Sequence, residues 1–139
     1  MKTIAYYISD YGYGHATRST AIIRELLKQN EIVKIIICHS FALRFLQQSF
    51  RHEPRVTFRE VATDVGYVLK ENSLEPDTKI LNENVSFYVS EFPTKLYQET
   101  RFMKEKNVSF AISDISPLGI AGAAALNIPS LGLSNFTWH

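Results

Sequence analysis

Apolar positions in this chain fall into short β-branched runs separated by segments of helical period. Thr3 to Ser9 is such a run, closed by Asp10-Tyr11-Gly12, which predicts a strand and a turn. From His15 to Lys28 the period changes. Ile22, Ile23, Leu26 and Leu27 mark one side, and Arg24, Glu25 and Lys28 the other, as in an amphipathic helix. Ile32 to Cys38 is almost continuously aliphatic, the pattern of a parallel strand covered on both faces. Phe41 to Phe50 predicts a short helix with Ser40 as its N-cap, and Arg55 to Val61 a half-buried strand.

Ala62 to Thr78 has no period and holds the turn formers Gly66, Asn72, Pro76 and Asp77. A loop of that length in a compact domain is commonly functional or mobile. Ile80 to Lys106 carries an apolar stripe through Leu81, Val85, Tyr88, Phe92, Leu96 and Met103. Pro93 lacks a backbone donor, so two helices or one kinked helix are expected there. Val108 to Ser113 reads as a strand, Leu118 to Leu126 as a helix of small residues, and Pro129 to Ser134 as a last strand. This alternation predicts an α/β domain over residues 1–139. Its sheet is doubly wound, mainly parallel and Rossmann-like, with helices on both faces.

Composition narrows the class. Hydrophobic residues are 45% and charged residues 21% of the 139, close to the globular average and far from a disordered chain. The net charge of +1 is spread along the chain and offers no basic stripe for nucleic acid. The apolar run at the N-terminus is too short for a membrane span. A single cysteine, Cys38, excludes an internal disulfide framework and suits a reducing, cytoplasmic setting. Within Ile35-Ile36-Ile37-Cys38 it is expected to be a small buried residue.

The chemistry concentrates in Ser9-Asp10-Tyr11-Gly12-Tyr13-Gly14-His15-Ala16-Thr17-Arg18-Ser19. Gly12 and Gly14 permit a tight turn and close backbone approach, and the helix start behind them favours an anion. Thr17, Arg18 and Ser19 add donors near that end. A dinucleotide fingerprint would need a third glycine at position 17 and an acid after the second strand. This chain has Thr17 and Cys38-His39-Ser40 instead.

His15 stands where ligands bind in this architecture, at the carboxyl edge of the sheet, and an imidazole of unperturbed pKa near 6.5 accepts protons near neutrality. The alternative is a histidine that only packs or caps. Asp114 ends a different predicted strand at the same edge, where it can orient the imidazole or cap the helix that starts near Pro117. The aspartates lack D-x-D spacing, so no metal is expected. His39 and His52 are expected at the surface or in loops. Arg44, Arg51, Arg55 and Arg59 are more simply a solvated face than a binding patch. The aromatic residues between 87 and 102 are more simply core than an acceptor groove.

Gly12-Tyr13-Gly14-His15 after the first strand resembles the glycine-rich, histidine-ended loop of GT-B glycosyltransferases. Such loops occur in the bacterial N-acetylglucosaminyltransferase of peptidoglycan precursors and in UDP-dependent small-molecule glycosyltransferases. Ser113-Asp114 through Ala121-Ala125-Leu126-Asn127-Ile128-Pro129-Ser130 is similar to the family's strand-helix-strand unit. The two ends, with Gly14-His15-Ala16-Thr17-Arg18 and Ser134-Asn135-Phe136-Thr137-Trp138, also resemble the glycosyltransferase-like region of plant arabinose kinases.

The resemblance implies an N-terminal, acceptor-side domain, with the donor-binding lobe outside these residues. His15 would be the general base on an acceptor hydroxyl, steadied by Asp114. Gly12, Tyr13, Gly14, Thr17, Arg18, Ser19 and Asn135 would bind substrate. The partners implied are a hydroxyl acceptor and a nucleotide sugar, of UDP type by the likeness; the donor is a substrate, and no cofactor or metal is implied. A lipid acceptor would bring peripheral contact with a membrane. Two other readings are a non-catalytic sugar- or nucleotide-binding module, free-standing or fused to a sugar kinase, and a nucleotide-sugar epimerase.

Overall fold

The computed structural model describes residues 1–29 and 31–134. Nine elements alternate along them: β1 (Lys2–Ile8), α1 (Gly12–Gln29), β2 (Val33–His39), α2 (Leu43–Ser49), β3 (Val56–Glu60), α3 (Thr78–Glu105), β4 (Val108–Asp114), α4 (Pro117–Ala125) and β5 (Ser130–Leu133). The five strands form one sheet in the order β3-β2-β1-β4-β5, and every pairing is parallel. The chain moves outward from β1 to β3 and then crosses back to β4. The switch point of this α/β sheet therefore lies between β1 and β4, the place where ligands bind in such sheets.

Strand residues alternate between two cores because successive side chains point to opposite faces. Tyr6 and Ile8 of β1, with Ile35 and Ile37 of β2, pack under Ile23 and Leu27 of α1 and Leu46 of α2. Ala5 and Tyr7 pack instead with Cys38, with Phe102 and Met103 of α3, and with Ala123 of α4. Helices thus cover both faces, as the doubly wound pattern predicts. No helix among the described residues is long and apolar enough to cross a membrane.

One open alternative is decided and two local expectations need correction. Residues 78–105 form one continuous helix with Pro93 inside it, so the two-helix alternative does not occur. Pro93 and Val89 are exposed, and water can take up the Val89 carbonyl that Pro93 leaves without a donor. Ser40 is not the N-cap of α2. That position belongs to Ala42 and has no side-chain cap bond, while the N–H groups of Ser40 and Phe41 are held by Asp10 of the β1 loop. His39 is fully buried rather than at the surface. Its Nε2 accepts from the Ala42 N–H at 2.9 Å, so Nδ1 carries the proton and donates to the Ile8 carbonyl at 3.0 Å.

Cys38 is buried as expected. Burial pushes its thiol up to about 12, which leaves it protonated and unreactive at neutral pH.

Helix α4 lies close on the sheet because Gly119 faces the Tyr7 ring. A Cβ at 119 would stand 2.4 Å from Tyr7 Cδ2, and that ring is fully buried and tied through its hydroxyl to Glu99 at 2.6 Å. Alanine would gain up to about 1 kcal/mol of helix propensity, but overpacking a pinned ring costs about 1–3 kcal/mol. Gly119→Ala is expected to lower stability in a urea titration; an increase would show that Tyr7 is free to move.

Candidate functional site

The site is built where β1 and β4 run side by side. Ile8 is in register with Asp114, and the Ser9 N–H donates to the Asp114 carbonyl at 3.1 Å. Asp114 shares the sheet face of Ile112, whose neighbours include α1, so its side chain meets the first turns of that helix. Gly12 sits at φ +72°, a left-handed conformation glycine adopts without penalty, and α1 begins there instead of at His15. The N–H groups of its opening turn have no intrahelical acceptor. No protein atom lies within 4 Å of a Cβ placed at Gly12 or Gly14, so both glycines face open space.

His15 Nδ1 lies 2.9 Å from Asp114 Oδ1. Asp114 is fully buried and the His15 side chain is 16% exposed. Arg18 Nη2 also lies near Nδ1, at 3.2 Å, but it donates to the carboxylate, and the carboxylate is the nearer partner of Nδ1. A carboxylate accepts only, so Nδ1 carries the proton and Nε2 presents a lone pair. Nε2 has no hydrogen bond among the described residues. His15 lines an open cleft of about 570 Å³ together with Tyr11, Gly12, Gly14 and Arg18.

Arg18 and Ser19 do more for Asp114 than for the cleft. Arg18 Nε donates to Asp114 Oδ2 at 3.2 Å and its Nη2 to Oδ1. Ser19 Oγ donates to Oδ2 at 3.2 Å and is itself buried. Arg18 also lines the cleft, whereas Ser19 is sealed behind Asp114. His15, Arg18 and Ser19 stand at i, i+3 and i+4 on one face of α1, a spacing in the sequence that marks the three as a group. Asp114 does not cap α4. The cap position is Ser116, without a side-chain bond, and the carboxylate is occupied by α1.

The other expected ligands divide. Thr17 is exposed, and its hydroxyl bonds back to the carbonyls of Tyr13 and Gly14 at 3.0 Å. Tyr13 is exposed and outside the cleft lining, with its ring 5.2 Å from Phe41 and 6.0 Å from Phe45. Asn135 lies outside the described residues. Ile115, directly after Asp114, is at φ +66°. For a β-branched residue that conformation costs about 1–3 kcal/mol, and such strain concentrates at functional sites.

Two further acids, Asp10 and Asp64, brace the same edge, and neither stood out in the sequence. Asp10 Oδ1 accepts from the N–H groups of Ser40 (2.9 Å) and Phe41 (3.0 Å), and Oδ2 from Thr63 N–H at 2.7 Å. It thereby ties together the segments that leave β1, β2 and β3. Burial alone would push the Asp10 carboxyl up, but these backbone donors hold it below its usual value. Asp64 accepts from the Asp10 N–H at 2.9 Å. Burial outweighs its hydrogen bonds and raises its carboxyl.

The four arginines form no common patch. Arg51 and Arg55 border one groove, and Arg55 is paired with Glu53. Arg59 bonds to the buried Glu99 and lies over the ring of Phe102. Among the aromatic residues Phe102 is core, but Phe87 is 66% exposed.

The sequence pattern of glycosyl transferase family 1 matches residues 2–138. The chain is 28% identical over 134 residues to L-arabinokinase of Arabidopsis thaliana, an alignment that covers 96% of this chain and 13% of that protein. Its fold is similar to that of MurG from Acinetobacter baumannii, with a TM-score of 0.59 and 13% identity, covering 96% of this chain and 35% of that one. It is similar also to a UGT transferase from Siraitia grosvenorii, solved in complex with UDP. There the TM-score is 0.59 and the identity 11%, over 96% of this chain and 28% of the other.

Proposed function

The chain belongs to glycosyl transferase family 1, and on that premise we propose that it is the acceptor-binding half of an inverting sugar transferase. The observation that carries this reading is the His15–Asp114 bond of 2.9 Å, which sets the imidazole tautomer and leaves Nε2 at the cleft. An acceptor hydroxyl gives its proton to Nε2 as its oxygen forms a bond to the anomeric carbon of the donor sugar. The bond from that carbon to the leaving diphosphate breaks on the opposite side, and the electron pair leaves with the nucleotide. The imidazolium that results is stabilised by the carboxylate of Asp114.

Arg18 and Ser19 act one layer back, fixing that carboxylate. Gly12 and Gly14 line the cleft, where the helix start suits an anionic group; Tyr13 and Thr17 are exposed outside that lining and would meet only a ligand that extends beyond it. The donor is a nucleotide sugar; the UDP bound by the Siraitia grosvenorii protein favours a UDP-sugar. Proton transfer and displacement of a diphosphate require no redox cofactor. The reading requires a donor-binding lobe as partner, places the reaction in the cytoplasm, and allows contact with a membrane surface if the acceptor is a lipid.

A second reading is a sugar-binding module attached to a kinase, favoured by the match to a small share of an arabinokinase. Incubating the native polypeptide with UDP-sugars separates these. A transferase is expected to release UDP only when a hydroxyl acceptor is added. Binding without release would leave the module, and conversion of the sugar without acceptor would indicate an epimerase.

A further inference from the structure

Beside the His15 cleft lies a second concavity of about 410 Å³, between the segment 62–68 and residues 84–95 of α3. Tyr67, Phe87 and Tyr88 give it aromatic walls, and Asp64, Asn84 and Lys95 give it polar groups. It adjoins the cleft through Tyr11, which lines the cleft and meets the Tyr67 ring at 5.2 Å.

Its charged groups are not satisfied by each other. Lys95 is half-buried and makes no hydrogen bond or ion pair among the described residues. Asp64 accepts from the Asp10 N–H on Oδ1 and from the Ser9 side chain, feels the charge of His15, and forms no salt bridge among the described residues. Lys95 lines the same concavity as the aromatic residues, and an ammonium with no internal counter-charge can pair with an anionic group that a ligand brings. Exposed ring faces suit the C–H face of a saturated ring, and a carboxylate suits hydroxyl donors.

We propose that this concavity holds a hydroxylated ring bearing an anionic group, with Asp64 accepting from ring hydroxyls, Lys95 facing the anion, and Tyr67 and Phe87 flanking the ring. That the ligand is the acceptor rests on the transferase reading; the binding itself does not. The class it names is a phosphorylated or acidic sugar rather than a flat apolar alcohol.

The test is an NMR titration of the chain with glucose 6-phosphate, methyl glucoside, 2-naphthol and inorganic phosphate, following the amides of Tyr67, Asn84 and Lys95. Glucose 6-phosphate is expected to bind about tenfold more tightly than methyl glucoside, the size of one charge-assisted contact. Lys95→Gln should erase that preference, and Asp64→Asn should weaken both sugars while the spectrum stays folded. The proposal is overturned if 2-naphthol alone binds, if phosphate alone matches the sugar phosphate, or if Lys95→Gln keeps the preference. Binding of the sugar phosphate without transfer to it from any UDP-sugar would uphold the subsite and sink its role as acceptor site.

Discussion

Asp114→Asn is expected to lower sugar transfer by about a thousand- to ten-thousand-fold with the fold retained, as loss of an imidazole-orienting carboxylate does in triad-type sites. The reason lies in hydrogen-bond accounting. Asp114 accepts from His15, Arg18 and Ser19, and an amide has one accepting oxygen where the carboxylate has two. The oxygen stays with the guanidinium, which cannot accept, so the amide N–H₂ turns towards His15. Nδ1 must then be the acceptor, the ring proton moves to Nε2, and the base facing the cleft is lost. His15→Ala removes the base outright. The double variant should be no slower than the slower single one, since groups that act as a unit are not additive. The measurement is kcat of the native polypeptide with a UDP-sugar and its acceptor, beside a circular dichroism spectrum. Turnover within tenfold of the parent in a folded Asp114→Asn protein would remove the pair from the mechanism.

Glu99→Ala is expected to have the largest effect on stability, a loss of about 3–5 kcal/mol by the usual consequence of breaking a buried ion pair from one side. Glu99 is 1% exposed. It accepts from the Tyr7 hydroxyl at 2.6 Å and from Arg59 at 2.8 Å, and its removal strands both donors. Burial, followed by the neighbouring Cys38 and Glu99, raises the Tyr7 hydroxyl far above its ordinary range, so Tyr7 remains a neutral donor that needs an acceptor. Arg59 is 23% exposed and recovers some hydration, which favours the low end of the range. Against a typical domain stability of about 5–15 kcal/mol, this is a large share. Urea titration reads it directly. Glu99→Gln, which keeps an acceptor, should fall between the two, and a loss under about 1 kcal/mol for Ala would mean that the pair contributes little beyond its own desolvation.

The order of elements was legible because strand and helix periods alternate cleanly, and predicted strand ends fall within two residues of those observed. The pairing of His15 with Asp114 was legible for a topological reason: each follows or ends a strand beside the switch point. Other features depend on partners that no local pattern reveals. Ser40 has the composition of a cap, yet an aspartate from another strand end holds its N–H. His39 looked like a loop residue because an imidazole in a strand carries no periodic signal, although its burial continues the aliphatic run before it. Arg18 and Ser19 have the donors of ligand-binding residues, and only the fold brings the buried Asp114 carboxylate opposite them. Residues 62–77 lacked a period because they are held by single contacts, among them the Leu69–Pro76 bridge and the Thr63 bonds to Asp10 and Ile8.

The bond between His15 and Asp114 joins residues 99 positions apart, and this has a consequence for how the protein is made. During synthesis α1 leaves the ribosome long before β4 exists. Until β4 docks, β1 has an open edge and the guanidinium of Arg18 has no carboxylate to hold. Closing so long a loop is slow relative to forming the local helices, so the site is among the last features to assemble. A nascent or truncated chain that stops short of β4 therefore carries the glycine turn and its histidine but no oriented base, and function arrives together with completion of the sheet.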